Sequence, residues 1–441
     1  MWHALKVPLR GSARQTHKIM LDPSDPRAPR LRTLLTEVVS GNRFYARKFA
    51  GCNLDDFNSL PFTTKAELIA DQVEHSPYGS NLTYPLDRYC RMHQTSGTSS
   101  GRALRWLDTP QSWDWLLGCW SDIFAHLDLH PGDRFFFPFS FGPFLGFWTA
   151  FEAASRAGYL VLPGGGLTST ARLRFLLDHR ATIICCTPTY ALHLAELAAT
   201  EGIDLAGSSV RMLIVAGEPG GSIPATRARI ESVWGARVVD HYGMTEVGPV
   251  AVELAETGTQ LVSAGETSRV PFSTILENRY IAEFVQPGSS QPAAEGEVAE
   301  LVLTNLGRIG SPLIRYQTGD LVKARRGPTG MVLEGGILGR TDDMIHVRGN
   351  NLYPAAIEAV VRRFPQVAEF QIVVDRSGPL TDLRLEIEPV SDAPGLDDAV
   401  ARAIRDELLF RVPVKTVACG SLPRYEMKAR RVVESRRDCK P

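Results

Sequence analysis

From about residue 110 the chain alternates between two hydrophobic periodicities. The segments WDWLLGCWSDIFAHL, FWTAFEAASRAG, STARLRFLLDHR, YALHLAELAATEG and IPATRARIESVWG carry apolar residues at helical spacing. Around and between them lie the short apolar runs RFFFPF, YLVLP, TIICCT and RMLIVAG. Strand-length apolar runs separated by amphipathic helices predict βαβ units and a mainly parallel sheet flanked by helices, hence an α/β large domain. Beyond residue 250 the pattern changes. YIAEFVQ, EVAELVLTNL, PLIRYQTGDLVKARR and GMVLEGG follow one another as strands without helices between them. They predict a β-rich subdomain over about 250–338, with QPGSSQPAAEG as a polar loop. After GRTDD the order becomes helix (PAAIEAVVRRF), strand (VAEFQIVV), strand (LRLEIEPV) and long helix (GLDDAVARAIRDELLFRV). We therefore expect a large domain over 1–341 and a small, mobile α+β domain over 342–441.

Composition narrows the class without selecting a function. At 441 residues the chain exceeds what one core usually serves, and 44% hydrophobic with 22% charged residues is ordinary for a globular protein. A formal net charge of -1 offers no field for nucleic acid or an anionic membrane. The seven cysteines are odd in number and form no CxxC pair, so neither a disulfide framework nor a zinc knuckle is expected, which suits a reducing cytoplasm. The N-terminal MWHALKVPLRGSARQ lacks the apolar stretch of a signal peptide. FFFPFSFGPFLGFWTAF, residues 135–151, carries no charge, but it is shorter than the ~20 residues of a membrane span. Its prolines and glycines predict a buried strand, a turn and a helix start.

The chemistry enters with HQTSGTSSGRALRW at residues 93–106. An unbroken run of Ser, Thr and Gly can bend its N–H groups around phosphate oxygens while its hydroxyls donate further hydrogen bonds. It does not fit the GxxxxGK[ST] of a Walker loop, and on its own such a run is more often a solvated turn. Further along come AGEP (216–219), HYGMTEVG (241–248), RYQTGD (315–320), GRTDDMIHVRG (339–349) and LPRYEMKARR (422–431). Singly, these are turns, strand ends or basic surface.

In this order and spacing the six segments resemble the adenylate-forming superfamily of acyl-CoA synthetases. With FGPFLGFW followed by LPGGG, and with CTPTYALHLAE, they look most like its phenylacetate-CoA ligase branch. The resemblance runs from about residue 85 to 435. It implies attack of a carboxylate on the α-phosphorus of ATP, giving acyl-AMP and pyrophosphate, followed by transfer of the acyl group to coenzyme A. Both steps bring negative charges together, so catalysis must come from cations, N–H donors and alignment.

Carried over residue by residue, the resemblance gives Thr95, Ser96, Gly97 and Thr98 to the β- and γ-phosphates. Tyr242 would stack on adenine, Thr245 would meet the α-phosphate and Glu246 would hold Mg²⁺. Gly217, Glu218, Pro219, Asp240 and His241 would line the nucleotide pocket. Asp320 would bond the ribose hydroxyls, and Arg340 would contact the nucleotide. Asp342 would be the hinge. Lys428 would reach from the small domain to the α-phosphate and the incoming carboxylate. With Thr245 and Glu246 it makes up the catalytic set. Phe141, Phe144, Trp148, Tyr190, Ala216, Gly243 and Met244 are candidates for an acyl pocket suited to an aryl or arylacetic acid, although aromatics there serve equally as core.

The chain departs from the family pattern in three places. The phosphate loop, Ser99-Ser100-Gly101-Arg102-Ala103, is one residue longer and lacks a proline. Met427 stands before the lysine where glycine is common. Leu254 and Arg279 stand in the region where close relatives carry Cys and His, so no zinc is expected. The expected protein is a cytoplasmic, ATP- and Mg²⁺-dependent aryl-CoA ligase, monomer or homodimer, with a small carboxylic acid as substrate and neither nucleic acid nor membrane as partner. A carrier-protein phosphopantetheine thiol or an amine would use the same first step, and a non-catalytic nucleotide-binding homologue is the rival from another class.

Overall fold

The computed structural model describes residues 25–95, 103–254, 260–261, 267–268, 272–347, 350–376, 381–426 and 428–435. Among these, eleven strands form one mixed sheet. Its parallel half runs inward from one edge as Leu160–Pro163, Arg134–Phe137, Ile183–Cys186, Met212–Val215 and Arg237–Met244. Alternation along these strands separates two cores. Phe135, Ile183, Cys185, Met212 and Ile214 face the helices Pro110–Ala125 and Trp148–Arg156. Phe136, Ile184, Cys186, Leu213 and Val215 face Ser169–Asp178, Pro188–Thr200 and Pro224–Trp234. Three of the five helices begin on a threonine, Thr109, Thr168 or Thr187, whose side chain accepts an amide from the first turn. In two of them proline follows the cap, where its missing N–H costs nothing. The uncharged 135–151 stretch divides between the strand Arg134–Phe137 and the helix Trp148–Arg156. No described helix is long and apolar enough to cross a membrane.

The strand Arg237–Met244 is the pivot of the sheet. Arg237 to Asp240 pair in parallel with Met212 to Val215, whereas His241 to Met244 pair antiparallel with Gly248 to Val252. Beyond it the sheet continues antiparallel through Gly248–Glu253, Phe272–Ile275, Gly330–Arg340, Tyr316–Gly327, Val298–Asn305 and Tyr280–Val285. The β-rich region therefore shares a sheet with the parallel half, because one strand outlasts its parallel neighbour and folds back through the 245–247 turn. A crevice beside such a change of direction is where α/β sheets place their ligands.

Residues 25–80, silent in motif terms, belong to the same body. Leu31, Leu34, Leu35, Val38, Tyr45 and Leu68 join the core that holds Trp113 and Phe135. The helix Lys65–Glu74 opens on a reciprocal capping box between Thr64 and Glu67. Just before it, the Thr63 amide bonds the Arg315 carbonyl at 2.9 Å and the Gln317 amide bonds the Thr63 carbonyl at 2.9 Å, so Lys65 starts beside the Tyr316 strand.

Towards the C-terminus the helices Pro354–Val361 and Leu396–Leu408 cover a four-stranded sheet ordered Val414–Thr416, Asp382–Pro389, Val367–Asp375, Val432–Glu434. Its apolar core draws its fully buried residues from Ile345 to Val412 only. That separate core is the physical basis for proposing a domain boundary at 342.

Candidate active site

The HYGMTEVG segment spans the pivot strand and its turn. The Tyr242 hydroxyl donates to Asp320 Oδ2 at 2.6 Å. Asp320 lies opposite Arg340 in the neighbouring strand, and Arg340 Nη1 donates to Asp320 Oδ1 at 2.8 Å. Arg340 Nε also reaches Asp342 Oδ1 at 2.8 Å. The three motifs YG, TGD and GRTDD thus meet in one cluster. Burial pushes the Asp320 carboxyl above its ordinary value, while Arg340, the Tyr242 hydroxyl and the more distant Lys428 charge pull it down. Burial also opposes the Arg340 charge, but Asp320 and Asp342 more than restore it. Burial, then the Asp320 charge beside it, raises Tyr242 well above a normal phenol and keeps it protonated.

The turn that carries Thr245 and Glu246 is held by a residue that no motif announces. Arg308 Nη1 donates to the carbonyls of Thr245 at 2.8 Å and Glu246 at 3.0 Å. The rest of its guanidinium makes a bidentate pair with Asp108, at 2.6 Å for both bonds, and both side chains are wholly buried. With its backbone fixed in this way, the buried Glu246 carboxylate faces Lys65, whose Nζ lies 3.4 Å from Oε1.

The small unit contributes described residues of the LPRYEMKARR segment, which lie against the large unit. Lys428 is exposed, and its charge is felt by Asp320 and by Asp343. On either side of it the segment is tied to the large unit. Glu426 bonds Ser169 at 3.1 Å and Arg172 at 3.4 Å. The Ala429 amide donates to Glu218 Oε2 at 2.8 Å, and Arg431 Nη2 donates to Thr189 Oγ1 at 3.2 Å.

Other expected site residues fall in less open places. Thr95 closes the base of a hairpin between Arg91–Gln94 and Arg105–Asp108: its amide bonds the Leu104 carbonyl, and its hydroxyl accepts the Leu104 amide at 3.0 Å. Ser96, Gly97 and Thr98, the rest of the phosphate run, and Met427 lie outside the described residues. Gly217 adopts a left-handed φ of 94° that a side chain would strain. Pro219 follows Glu218 in this loop, half-buried. Asp240 is enclosed: a Cβ added to Gly221 would meet its Oδ1 at 2.2 Å, and Gly336 packs its other oxygen. Burial lifts its pKa to about 7, with Glu253 adding to the rise and Arg227 opposing it. His241 turns into the core, with its ring 4.5 Å from that of Trp120 and Nδ1 bonded to the Ala251 carbonyl at 3.0 Å. Burial depresses its pKa to about 4, so the ring is neutral.

The acyl-pocket candidates divide. Phe141 packs edge-on against Trp148 at 4.8 Å and against Phe151 at 5.1 Å, and Phe144 meets Phe139 at 5.2 Å. Phe141 holds a left-handed φ of 47°, a strained conformation for an aromatic residue. Ala216 and Met244 are partly buried against the same core, and Gly243 admits the Gly248 carbonyl where a Cβ would sit at 2.7 Å from it. Tyr190 is not with them. It lies in the core on the opposite face of the parallel sheet, its hydroxyl bonded to Arg172 at 2.9 Å and Ser169 at 3.1 Å. A helical position three residues past the Thr187 cap points it away from the aromatic group, and motif matching cannot see that.

Comparison with known proteins follows the same lines. Residues 115–289 match the family model described as AMP-binding enzyme, and residues 349–436 match that of the AMP-binding enzyme C-terminal domain. The phenylacetate-coenzyme A ligase of Escherichia coli (strain K12) is 31% identical over 92% of this chain and 93% of its own. That of Thermus thermophilus is 30% identical over 92% and 95%. The chain belongs to the phenylacetate-CoA ligase branch of the adenylate-forming enzymes. Among solved structures, 2-hydroxyisobutyryl-CoA ligase in its postadenylation state superposes with a TM-score of 0.84 at 26% identity, covering 93% of this chain and 89% of that one. The same protein in its thioesterification state gives 0.66 at 27% identity over 93% and 89%.

This member of the branch is accordingly an AMP-forming acid–thiol ligase. For such a ligase, motif reading overlooked Lys65, Arg308 and Asp108. A signal did exist for Lys65: the Thr64 to Glu67 capping box fixes a helix start at that point. Nothing local marks Arg308 and Asp108, which lie 200 residues apart.

Proposed function

We propose that the enzyme adenylates an aromatic carboxylic acid, aryl or arylacetic, and passes the acyl group to coenzyme A. One observation supports this reading: Tyr242 and Arg340 both donate to the Asp320 carboxylate, which also feels the charge of Lys428. In the first step a carboxylate oxygen forms a bond to the α-phosphorus of ATP, and the bond to the pyrophosphate oxygen breaks. Lys428 supplies a compact positive charge between the two approaching anions. Asp320, accepting from Tyr242 and Arg340 now, is suited to accept from vicinal ribose hydroxyls as well. Thr245 offers its hydroxyl on a turn whose carbonyls Arg308 immobilises, which keeps the donor aligned without reorganisation.

Glu246 suits a hard divalent cation, being a buried carboxylate that already accommodates the ammonium of Lys65 at 3.4 Å. Mg²⁺ held there would neutralise phosphate charge. Lys65, displaced from the carboxylate, would remain beside the phosphates as a further cation. In the second step the thiolate sulfur attacks the acyl carbon and AMP leaves. The higher similarity to a postadenylation structure than to a thioesterification structure supports reading the present arrangement as that of the first step, with Asp342 as the hinge towards the second. The aromatic group of Phe139, Phe141, Phe144, Trp148 and Phe151, whose rings meet edge-on, supports an aromatic acid as the substrate.

A pyrophosphate-release screen over benzoic, arylacetic, heteroaromatic and fatty acids tests the reading, repeated with Lys428→Ala. Fastest release with an aromatic acid is expected, and a fall of at least about 100-fold in the variant, as for loss of a transition-state charge contact. Preference for fatty acids would refute the aromatic assignment. Acyl-AMP accumulating without a CoA thioester would point instead to a carrier-protein thiol or an amine as acceptor.

A further inference from the structure

We propose that Glu218 is a positioning residue for Lys428, fastening the lysine-bearing segment of the small domain to the large domain during adenylation and releasing it for thioester formation. This rests on the role given to Lys428 above. The carboxylate of Glu218 is divided between the two domains. One oxygen accepts the amide of Thr189 at 2.8 Å, and the other accepts the amide of Ala429 at 2.8 Å. Thr189 is in the first turn of the helix Pro188–Thr200, where amides have no partner within the helix and the helix end favours a negative charge. That bond fixes the side chain from the large-domain side. Ala429 directly follows Lys428, so the second bond fixes the main chain next to the catalytic cation whatever rotamer the lysine adopts.

The chemistry of the side chain fits this double duty. A carboxylate offers two acceptor oxygens and no donor, whereas the amide of glutamine has one acceptor oxygen and would serve only one of the two N–H groups. Among the described residues the other ties of the segment are made by side chains: Arg424 with Glu196, Glu426 with Ser169 and Arg172, and Arg431 with Thr189. Of these contacts the Glu218 bond alone grips the backbone beside the lysine. A rotation of the small domain about 342 must break it, because Thr189 belongs to one unit and Ala429 to the other. Glu218 should therefore matter more to the first half-reaction than to the second.

The test uses the full-length protein and the acid that gives the fastest pyrophosphate release in the screen above. Glu218→Ala is expected to slow pyrophosphate release without CoA by about 30-fold and Glu218→Gln by about 5-fold, the range for losing one or part of one charge-assisted hydrogen bond. Thioester formation from supplied acyl-adenylate and CoA, which does not use the Lys428 placement, is expected to slow less than pyrophosphate release does. In a Lys428→Ala background, adding Glu218→Ala is expected to change adenylation by less than about 2-fold, since a residue that acts through the lysine has nothing left to position. Amide exchange in the peptide 425–431 should quicken in both Glu218 variants.

Equal slowing of both half-reactions, full multiplication of the two effects or unchanged amide exchange would each overturn the proposal. Lys428→Ala adenylating at the wild-type rate would overturn the role of the lysine and this inference together. An impaired Lys428→Ala beside an unimpaired Glu218→Ala would overturn the inference alone. Should loss of the cap on Thr189 reduce the yield of folded Glu218→Ala, Glu218→Gln carries the same comparison.

Discussion

Two arginine–aspartate pairs border the turn and the cleft, and they do opposite work. Arg308 and Asp108 are both 0% exposed, joined by two bonds of 2.6 Å, with the remaining guanidinium donors spent on the carbonyls of Thr245 and Glu246. Arg340 and Asp320 are 25% and 5% exposed, joined by one bond of 2.8 Å, and each has a second partner, Asp342 or Tyr242. The first pair is dry and every guanidinium nitrogen has a partner, so it holds a shape. The second keeps an edge towards solvent and shares its groups, so its bonds can be exchanged for those of a ligand. Burial converts the same chemistry from a recognition element into a structural bolt.

The sharpest way to break the contrast is to remove the dry aspartate. Asp108→Ala leaves a buried guanidinium without its counter-charge, and chemical denaturation should show a loss of about 3–5 kcal/mol or failure to fold. A loss below about 1 kcal/mol would mean that water reaches Arg308.

The next effect is read through pH. His93 stacks on Trp113 at 5.3 Å beside the dry pair, and burial, opposed by Asp108 and aided by Arg308 and Arg91, lowers its pKa from 6.5 to about 4. Between those values the unfolded chain binds a proton that the folded protein refuses. Stability is then complete above pH 6.5 and falls as pH drops towards 4, by up to about 3 kcal/mol. His241 adds a change of the same sign and Asp240 one of the opposite sign. Comparing thermal midpoints of wild type and His93→Phe across this window isolates the one residue. Parallel curves would show that His93 titrates normally.

On the exchangeable side the effect should move from stability to activity. Asp320→Ala is expected to cost about 1 kcal/mol of stability, since desolvation already disfavours its charge. It should slow adenylation by about 100-fold, or about 2.7 kcal/mol of transition-state binding. A variant that unfolds while any residual folded fraction stays fully active would reverse the distinction between the two pairs.

Much of this molecule is written locally. Helical periodicity, the threonine caps and the proline starts place the five helices between 110 and 234. The strand run after 250 and the change of pattern at GRTDD follow the same logic. The residues of YG, TGD and GRTDD meet because strand pairing sets Asp320 across from Arg340 and the Tyr242 hydroxyl reaches the same carboxylate. The failures have a common form. His241 and Asp240 adjoin Tyr242 in sequence, yet one turns into the aromatic core and the other into a pocket closed by Gly221 and Gly336. Tyr190 follows a helix cap into the core on the far face of the sheet.

The sequence by itself determined the element types and the family, because these depend on neighbours within a few residues or on ordered motifs. The tertiary structure alone decided which face each strand residue presents and which distant groups become partners: Arg308 with Asp108, Lys65 with Glu246, Glu218 with the amide beside Lys428. Those partnerships depend on sheet register and on how two separately built cores meet. A shift of one residue in a strand would send every side chain to the other face without changing a single local preference.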